Sequence, residues 1–278
     1  MNVKEQIQTL RARYISRTML QNFVNRQQDY THLPEQSIQT IICGASKARY
    51  DVYPNTLEMF TFNAGEVSAD LYTTFFLVKS LLYRCPNVQN IILFYSFYNI
   101  GYDLSKSNFK ALCPLFSSYL NVPLPPISKT LKWGVYLKIL RSNVKPNRQA
   151  SPTGDDFPGI FTKQDIDALA HKHYKQATKY GQNQWSWFIK LHELCALLQK
   201  RLIVVFPPER TDYRQSLSKL QNKENIYAPF HTLKQLVIDT REWMEDNYFG
   251  DESHLSREGA KIYTDKLNKA LKPYITKP

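Results

Sequence analysis

A serine, a histidine and an aspartate stand where nucleophilic acyl chemistry would need them. Ser46 lies in the stretch SIQTIICGASKARY (37–50), where the apolar run Ile38 to Cys43 breaks at Gly44. That is the pattern of a buried parallel strand entering a tight strand-to-helix turn. A serine on such a turn is presented at the carboxyl edge of a sheet, beside the first N–H groups of the next helix, which favour developing negative charge. Near the other end, GDESHLSREG (250–259) puts Asp251 three residues before His254. A serine nucleophile needs a base to take its proton, and the base needs a carboxylate to hold its tautomer and stabilise the imidazolium. One loop supplies both. Each end also has a plainer use: Ser46 as the cap of a helix, and 250–259 as a polar loop whose Ser256 caps the last helix, with Glu258 or Gly259 nearby.

The elements that must position these groups follow from periodicity. After the strand at 38–43 come a short helix or loop to Asn55, closed by Pro54, and a second strand over Met59 to Asn63. Ser68 to Arg84 reads as a helix with Leu71, Phe75, Val78, Leu81 and Leu82 on one face, stopped by Cys85-Pro86-Asn87. Val88 to Phe97 is apolar almost throughout and reads as a third strand buried on both faces. Strand, helix, strand in this order is a parallel βαβ unit, and ligands of such sheets bind beyond the carboxyl ends of the strands. Trp185 to Lys200 reads as another helix, Arg201 to Phe206 as the fourth strand closed by Pro207-Pro208, and Asn225 to Phe230 as a short fifth strand with His231 at its edge. The segment ERTDYRQSL offers Arg210, Tyr213 and Arg214, with Asp212, at a strand's carboxyl end, either as substrate contacts or as a plain helix start. An amphipathic helix over 256–271 ends the chain. The whole predicts a three-layer α/β/α sandwich with a parallel, flavodoxin-like sheet of about five strands.

On these residues the chain resembles the SGNH hydrolases, the GDSL-type esterases and lipases. In that family a serine follows the first strand in G-D-S and a D-x-x-H near the C-terminus supplies acid and base; the matching residues are Gly44-Ala45-Ser46 and Asp251 with His254. Asn63-Ala64-Gly65 looks like the family's glycine block and Asn99, after the third strand, like its asparagine block. Ala45 replaces the aspartate of G-D-S. Phe97-Tyr98-Asn99-Ile100 lacks the glycine and aspartate usual around the asparagine, which marks a divergent branch. The resemblance implies Ser46 as nucleophile, His254 as base and then acid, and Asp251 as the orienting carboxylate. It further implies an oxyanion hole from the N–H groups of Ser46 and Gly65 and the side chain of Asn99.

With 278 residues the chain suffices for one large α/β domain. We expect a helical flank over 1–36, with a helix from Lys4 to Gln27, and a single domain over 37–278. Into that domain a basic, proline- and aromatic-containing segment is inserted at about 101–184, holding 12 Lys and Arg against 5 Asp and Glu. The net charge of +12 attracts anionic partners: acidic polysaccharide, nucleic acid, or a membrane surface in peripheral contact. No zinc-finger spacing, RNP-like segment or dense arginine run supports the nucleic-acid reading. Four scattered cysteines without a C-x-x-C pair indicate neither a metal site nor a disulfide framework, and Cys43 and Cys195 read as core fillers. His171 and His173, two apart on a helical stretch, face away from each other and make a poor metal pair. The polar N-terminus lacks an apolar signal core and no stretch is long and apolar enough to span a bilayer, so a cytoplasmic location is expected with Met1 as the native start.

Members of the resembled family remove acyl groups from carbohydrates and lipids or move an acetyl group onto a sugar hydroxyl. The expectation is O-acetyl transfer onto a bacterial surface polysaccharide such as a capsule, with no bound cofactor and acetyl-CoA as soluble co-substrate. A carbohydrate or lipid O-acyl esterase, and a non-catalytic binding protein on the same fold, are the alternatives.

Overall fold

The computed structural model describes residues 15–154, 164–179, 184–220, 230, 233 and 235–275. They fall into two compact units, one of 1–34 with 104–154 and one of 35–103 with 155–278.

The larger unit is built on five parallel strands: β1 (Thr40–Gly44), β2 (Thr61–Asn63), β3 (Asn90–Phe94), β4 (Arg201–Phe206) and β5 (Leu236–Asp239), in the order β2-β1-β3-β4-β5. That is the flavodoxin-like winding the alternation predicts. Ile42, Ile92 and Ile203 pair across three strands, and the residues one position earlier, Ile41, Ile91 and Leu202, are buried against the opposite face. This double burial is why these strands read as continuous apolar runs. One face joins the final helix, through Ala260, Tyr263, Leu267 and Leu271, in a core with Ile42, Ile92, Ile203 and Val205. On the other, Leu71–Arg84 packs on β1 and Trp185–Leu197 on β4, with Tyr72 edge-on to Trp187 at 4.7 Å.

Between the strands of this unit lie α2 (Ser46–Tyr50), α3 (Leu71–Arg84), α6 (Ile166–Lys179), α7 (Trp185–Leu197) and α8 (Thr211–Leu220), and α9 (Arg257–Leu271) follows the last. Asp70 caps α3 by accepting the Thr73 N–H at 2.8 Å, and Ser256 caps α9 from Gly259 at 3.0 Å. The fifth strand of the sheet is Leu236–Asp239, downstream of the expected 225–230. Residues 225–229 and His231 lie outside the described residues, Phe230 is helical, and the strand is formed by Leu236-Val237-Ile238, whose apolar run pairs with β4 from Ile203 to Val205.

The smaller unit holds α1 (Arg17–Thr31), α4 (Cys113–Leu120) and α5 (Lys129–Ser142). The helix expected from Lys4 does not run through residue 16. Ser16 is extended (φ −72°, ψ 161°) and its Oγ accepts the Met19 N–H, so a helix starts afresh at Arg17; residues 4–14 lie outside the described residues. Phe23 meets Phe116 edge-on at 5.0 Å. Asp29, fully buried, receives a two-pronged contact from Arg148 at 2.7 and 2.8 Å, a contact from Arg26 at 3.2 Å and the Ser151 N–H at 2.7 Å. These bonds tie 148–151 to the N-terminal helix. The segment expected as one insertion over 101–184 is thus divided: its first half groups with α1, while α6 belongs to the sheet unit. Among the described residues no helix is long and apolar enough to cross a membrane.

Candidate active site

Parallel register brings the ends of all five strands to one edge, and the chain leaves that edge through the residues singled out by sequence. Gly44, the last residue of β1, has φ +133°, and a Cβ there would lie 2.6 Å from the Phe94 carbonyl oxygen. Only glycine fits so close a turn. It swings the chain into α2, whose first residue is Ser46. As the first helical residue, Ser46 has a backbone N–H with no intrahelical acceptor.

Ser46 Oγ lies 2.9 Å from His254 Nε2, across 208 residues of chain. His254 Nδ1 lies 2.9 Å from Asp251 Oδ2 and 3.1 Å from Oδ1. The three-residue spacing has a physical reason. Asp251 Oδ1 also accepts the backbone N–H groups of Ser253 and His254, each at 2.7 Å, so the carboxylate folds its own loop while facing the imidazole. Gly250 N–H donates to the His254 carbonyl at 2.9 Å and Phe249 pairs with Leu255, closing the loop. Burial alone would push the Asp251 carboxyl up, but its bonds from His254 and the two backbone N–H groups outweigh that and hold it below the usual carboxylate range. With Nδ1 directed at the Asp251 carboxylate, Nε2 is the nitrogen that faces Ser46 Oγ.

The loop after β2 is pinned against α2. Asn63 Nδ2 donates to the Ala48 carbonyl at 2.7 Å, Arg49 Nη1 reaches Glu66 Oε2 at 2.7 Å, and Glu66 N–H donates to the Gly44 carbonyl at 3.1 Å. A Cβ on Gly65 would meet the Arg49 backbone nitrogen at 2.7 Å, so glycine is needed for this approach. The role expected of the Gly65 N–H is altered by the same loop: it is taken up by Asn63 Oδ1 at 2.9 Å. Asn99 differs. Its Oδ1 accepts the Ser96 N–H at 2.6 Å, in a turn at 97–100 that follows β3 by three residues, and this bond fixes which end of the amide is left to donate.

Several groups at this edge carry no signature in sequence. Asp51, fully buried at the end of α2, accepts the Leu255 N–H at 3.0 Å with Oδ1, while Oδ2 has no hydrogen-bond partner among the described residues. Burial pushes its carboxyl up to about 6, against the pull of His254 and Lys47. Lys47, the neighbour of Ser46, is buried and donates to the Pro208 carbonyl. Glu209, three residues beyond β4, is buried too, and its carboxyl is raised by desolvation against the lowering influence of Lys47, Arg241 and Arg214. Tyr98 stacks on His173 at 4.2 Å, and His173 Nδ1 lies 2.8 Å from Tyr213 Oη. Desolvation, then the positive charges of Lys172 and Lys47, bring His173 down to about 3. Burial carries Tyr98 up to about 12 against its bond with Ser96.

Of the three residues put forward as substrate contacts, Tyr213 is in this cluster. Arg210 is forked onto Asp212 at 2.7 and 3.0 Å, and Arg214 is paired with Glu242. His171 is exposed, bonded to the Asp167 carbonyl at 2.9 Å, while His173 turns inward. Among the described residues no group of three or more His, Cys, Asp or Glu is placed to hold a metal ion. All four cysteines are free and buried.

No family model matches the chain and no curated protein matches it. Among solved structures it is similar to a GDSL-like lipase from Bacteroides thetaiotaomicron, at 9% identity and a TM-score of 0.45, covering 92% of this chain and 100% of that one. It is similar to a candidate acylhydrolase from Bacteroides fragilis, at 10% identity and a TM-score of 0.44, covering 89% and 94%. A third, described as a candidate platelet activating factor from Streptococcus pneumonia, shares 12% identity at a TM-score of 0.44 and covers 91% of each chain. The architecture of the chain itself is a five-stranded parallel α/β sandwich with helices on both faces.

Proposed function

We propose that the chain is a serine-dependent acyltransferase that places an acetyl group on a carbohydrate hydroxyl. The observation that carries the reading is the unbroken line from Asp251 Oδ2 through His254 to Ser46 Oγ, with 2.9 Å at each step. His254 Nε2 takes the Ser46 proton as Oγ attacks the acyl carbonyl, forming a tetrahedral intermediate. The Ser46 N–H and the Asn99 amide stabilise its oxyanion, and the imidazolium, held by Asp251, returns the proton to the leaving group as the C–S or C–O bond breaks. In the second half a sugar hydroxyl loses its proton to His254 and attacks the acyl-serine, and Ser46 leaves reprotonated.

A half-buried aromatic ring beside the triad supports a carbohydrate acceptor, because sugar rings stack on aromatic faces: Tyr50 lies edge-on to His254 at 5.8 Å. An acidic glycan as acceptor and acetyl-CoA as donor suit a chain of net charge +12. The test is to supply acetyl-CoA with and without an acidic polysaccharide and follow CoA release and glycan mass. Glycan-dependent CoA release with an acetyl mass increment supports transfer. Ready cleavage of simple acetate esters with no glycan effect would replace it by the esterase reading, and no turnover of either by a binding role.

A further inference from the structure

In the smaller unit, α5 is apolar on two faces, one of them buried and the other exposed. Leu131 and Val135 are fully buried, whereas Trp133, Leu137 and Leu140 are 60%, 48% and 79% exposed. Positions 133, 137 and 140 are spaced i, i+4 and i+7 and share one face of a helix. A stripe of one tryptophan and two leucines facing water calls for an occupant.

The charge around it says which. Residues 104–154 contain eight Lys and Arg and no Asp or Glu. The one acidic side chain among the described residues of this unit, Asp29, is fully buried between Arg26 and Arg148. The described surface of the unit therefore offers cations and no carboxylate. Lys129 and Arg141, both exposed, stand at the two ends of the helix, and Lys132 lies 5.7 Å from the Trp133 ring and 5.8 Å from that of Tyr136.

From this we infer that α5 is a membrane-docking helix that lies in the headgroup layer of an anionic bilayer, its Trp133, Leu137 and Leu140 side chains among the acyl chains and its cations on the lipid phosphates. A helix with exposed apolar residues, basic flanks and a tryptophan is the composition that binds in the plane of a bilayer surface. Nucleic acid would match the cations but give Leu137 and Leu140 nothing. A second copy would match the apolar stripe but set two carboxylate-free cationic surfaces against each other, which like-charge repulsion opposes. The inference is independent of the acyl-transfer reading, because it uses no residue of the triad.

The experiment is co-sedimentation of the full chain with phosphatidylcholine vesicles, with and without about one third phosphatidylglycerol, at about 0.05 M and 0.5 M salt. The protein should bind the anionic vesicles, with affinity falling about tenfold or more in high salt, and should bind pure phosphatidylcholine weakly. Its tryptophan emission should shift to the blue on binding, and Trp133→Phe should remove most of that shift. Leu137→Glu with Leu140→Glu should weaken binding about tenfold or more without changing the melting temperature, since both side chains already face water. Charge reversal at Lys129 and Arg141 should weaken it independently. The inference is overturned if anionic vesicles do not bind, or if the double Leu→Glu variant binds as well as the parent. It is equally overturned if that substitution instead turns a dimer into a monomer, or if a single-stranded oligonucleotide binds while vesicles do not.

Discussion

Asp51 Oδ1 accepts the backbone N–H of Leu255, the residue after His254, at 3.0 Å. Asp51 ends the helix that begins with Ser46, so one buried hydrogen bond joins the helix of Ser46 to the loop of His254 across 204 residues of chain. Asp51→Ala strands the Leu255 N–H at a cost of about 1–3 kcal/mol. It also loosens the His254 position, and a misplacement of about 1 Å costs roughly a hundredfold in rate. Measured kcat should fall with KM little changed, while Asp51→Asn, which keeps an acceptor, should retain most activity. A larger loss in Asn than in Ala would remove the positioning role.

The same carboxyl makes stability depend on pH. Its pKa is raised to about 6 in the fold, above an unfolded value near 3.9. Its contribution is therefore fully present below about pH 4 and lost as pH rises through about 6, on the order of 3 kcal/mol in all. Relative to Asp51→Asn, the parent should lose ground across that window in thermal melts. A difference that stays constant with pH would contradict the burial account.

His173 works in the opposite sense. Its pKa is brought down to about 3, below an ordinary value near 6.5. The neutral ring's contribution is present above about pH 6.5 and is lost as pH falls toward 3. His173→Gln should flatten the acid limb of the stability curve, and the His173 resonance should not titrate between about pH 5 and pH 8. Titration within that range would show that the ring is open to water.

Asn99 gives a sharper test of the oxyanion site. Asn99→Asp keeps an oxygen for the Ser96 N–H but removes the amide donor, so the fold should hold while kcat falls about 10² to 10³-fold. Asn99→Ala should lose as much rate and some stability as well. Full activity in both would leave the Ser46 N–H as the donor that matters.

Gly65→Ala places a methyl group against the backbone of α2, where 2.7 Å separates it from the Arg49 nitrogen. The two segments must part, at a cost of about 1–3 kcal/mol from overpacking. Calorimetry should show a lower melting temperature, with slower turnover because Ser46 is on the displaced helix. An unchanged melting temperature would mean that the loop after β2 adapts freely.

The residues that meet as Asp251, His254 and Ser46 could be singled out because their signals are local: an apolar run broken by Gly44 before Ser46, and a carboxylate three residues before a histidine. Three of the strands were legible because burial on both faces writes itself as uninterrupted apolar runs at 38–43, 88–97 and 201–206. What stayed hidden depends on contacts between distant segments. Nothing near Asp51 shows that Leu255 will need it, nor that His173 will meet Tyr213 or Lys47 the Pro208 carbonyl. The division of the inserted segment was hidden for the same reason, since Arg148 reaches Asp29 across 119 residues. The Asn63 bond to the Gly65 N–H is local, yet N-A-G reads equally as a turn or as an open donor.

The central claim is that Ser46 is a nucleophile activated by His254. Incubation with a fluorophosphonate, followed by mass analysis of the peptides, tests it without knowledge of the substrate. The account predicts one adduct on the peptide containing Ser46, absent in Ser46→Ala and formed about 10² or more times slower in His254→Ala. An unlabelled parent, or an adduct elsewhere at a rate indifferent to His254, would contradict it.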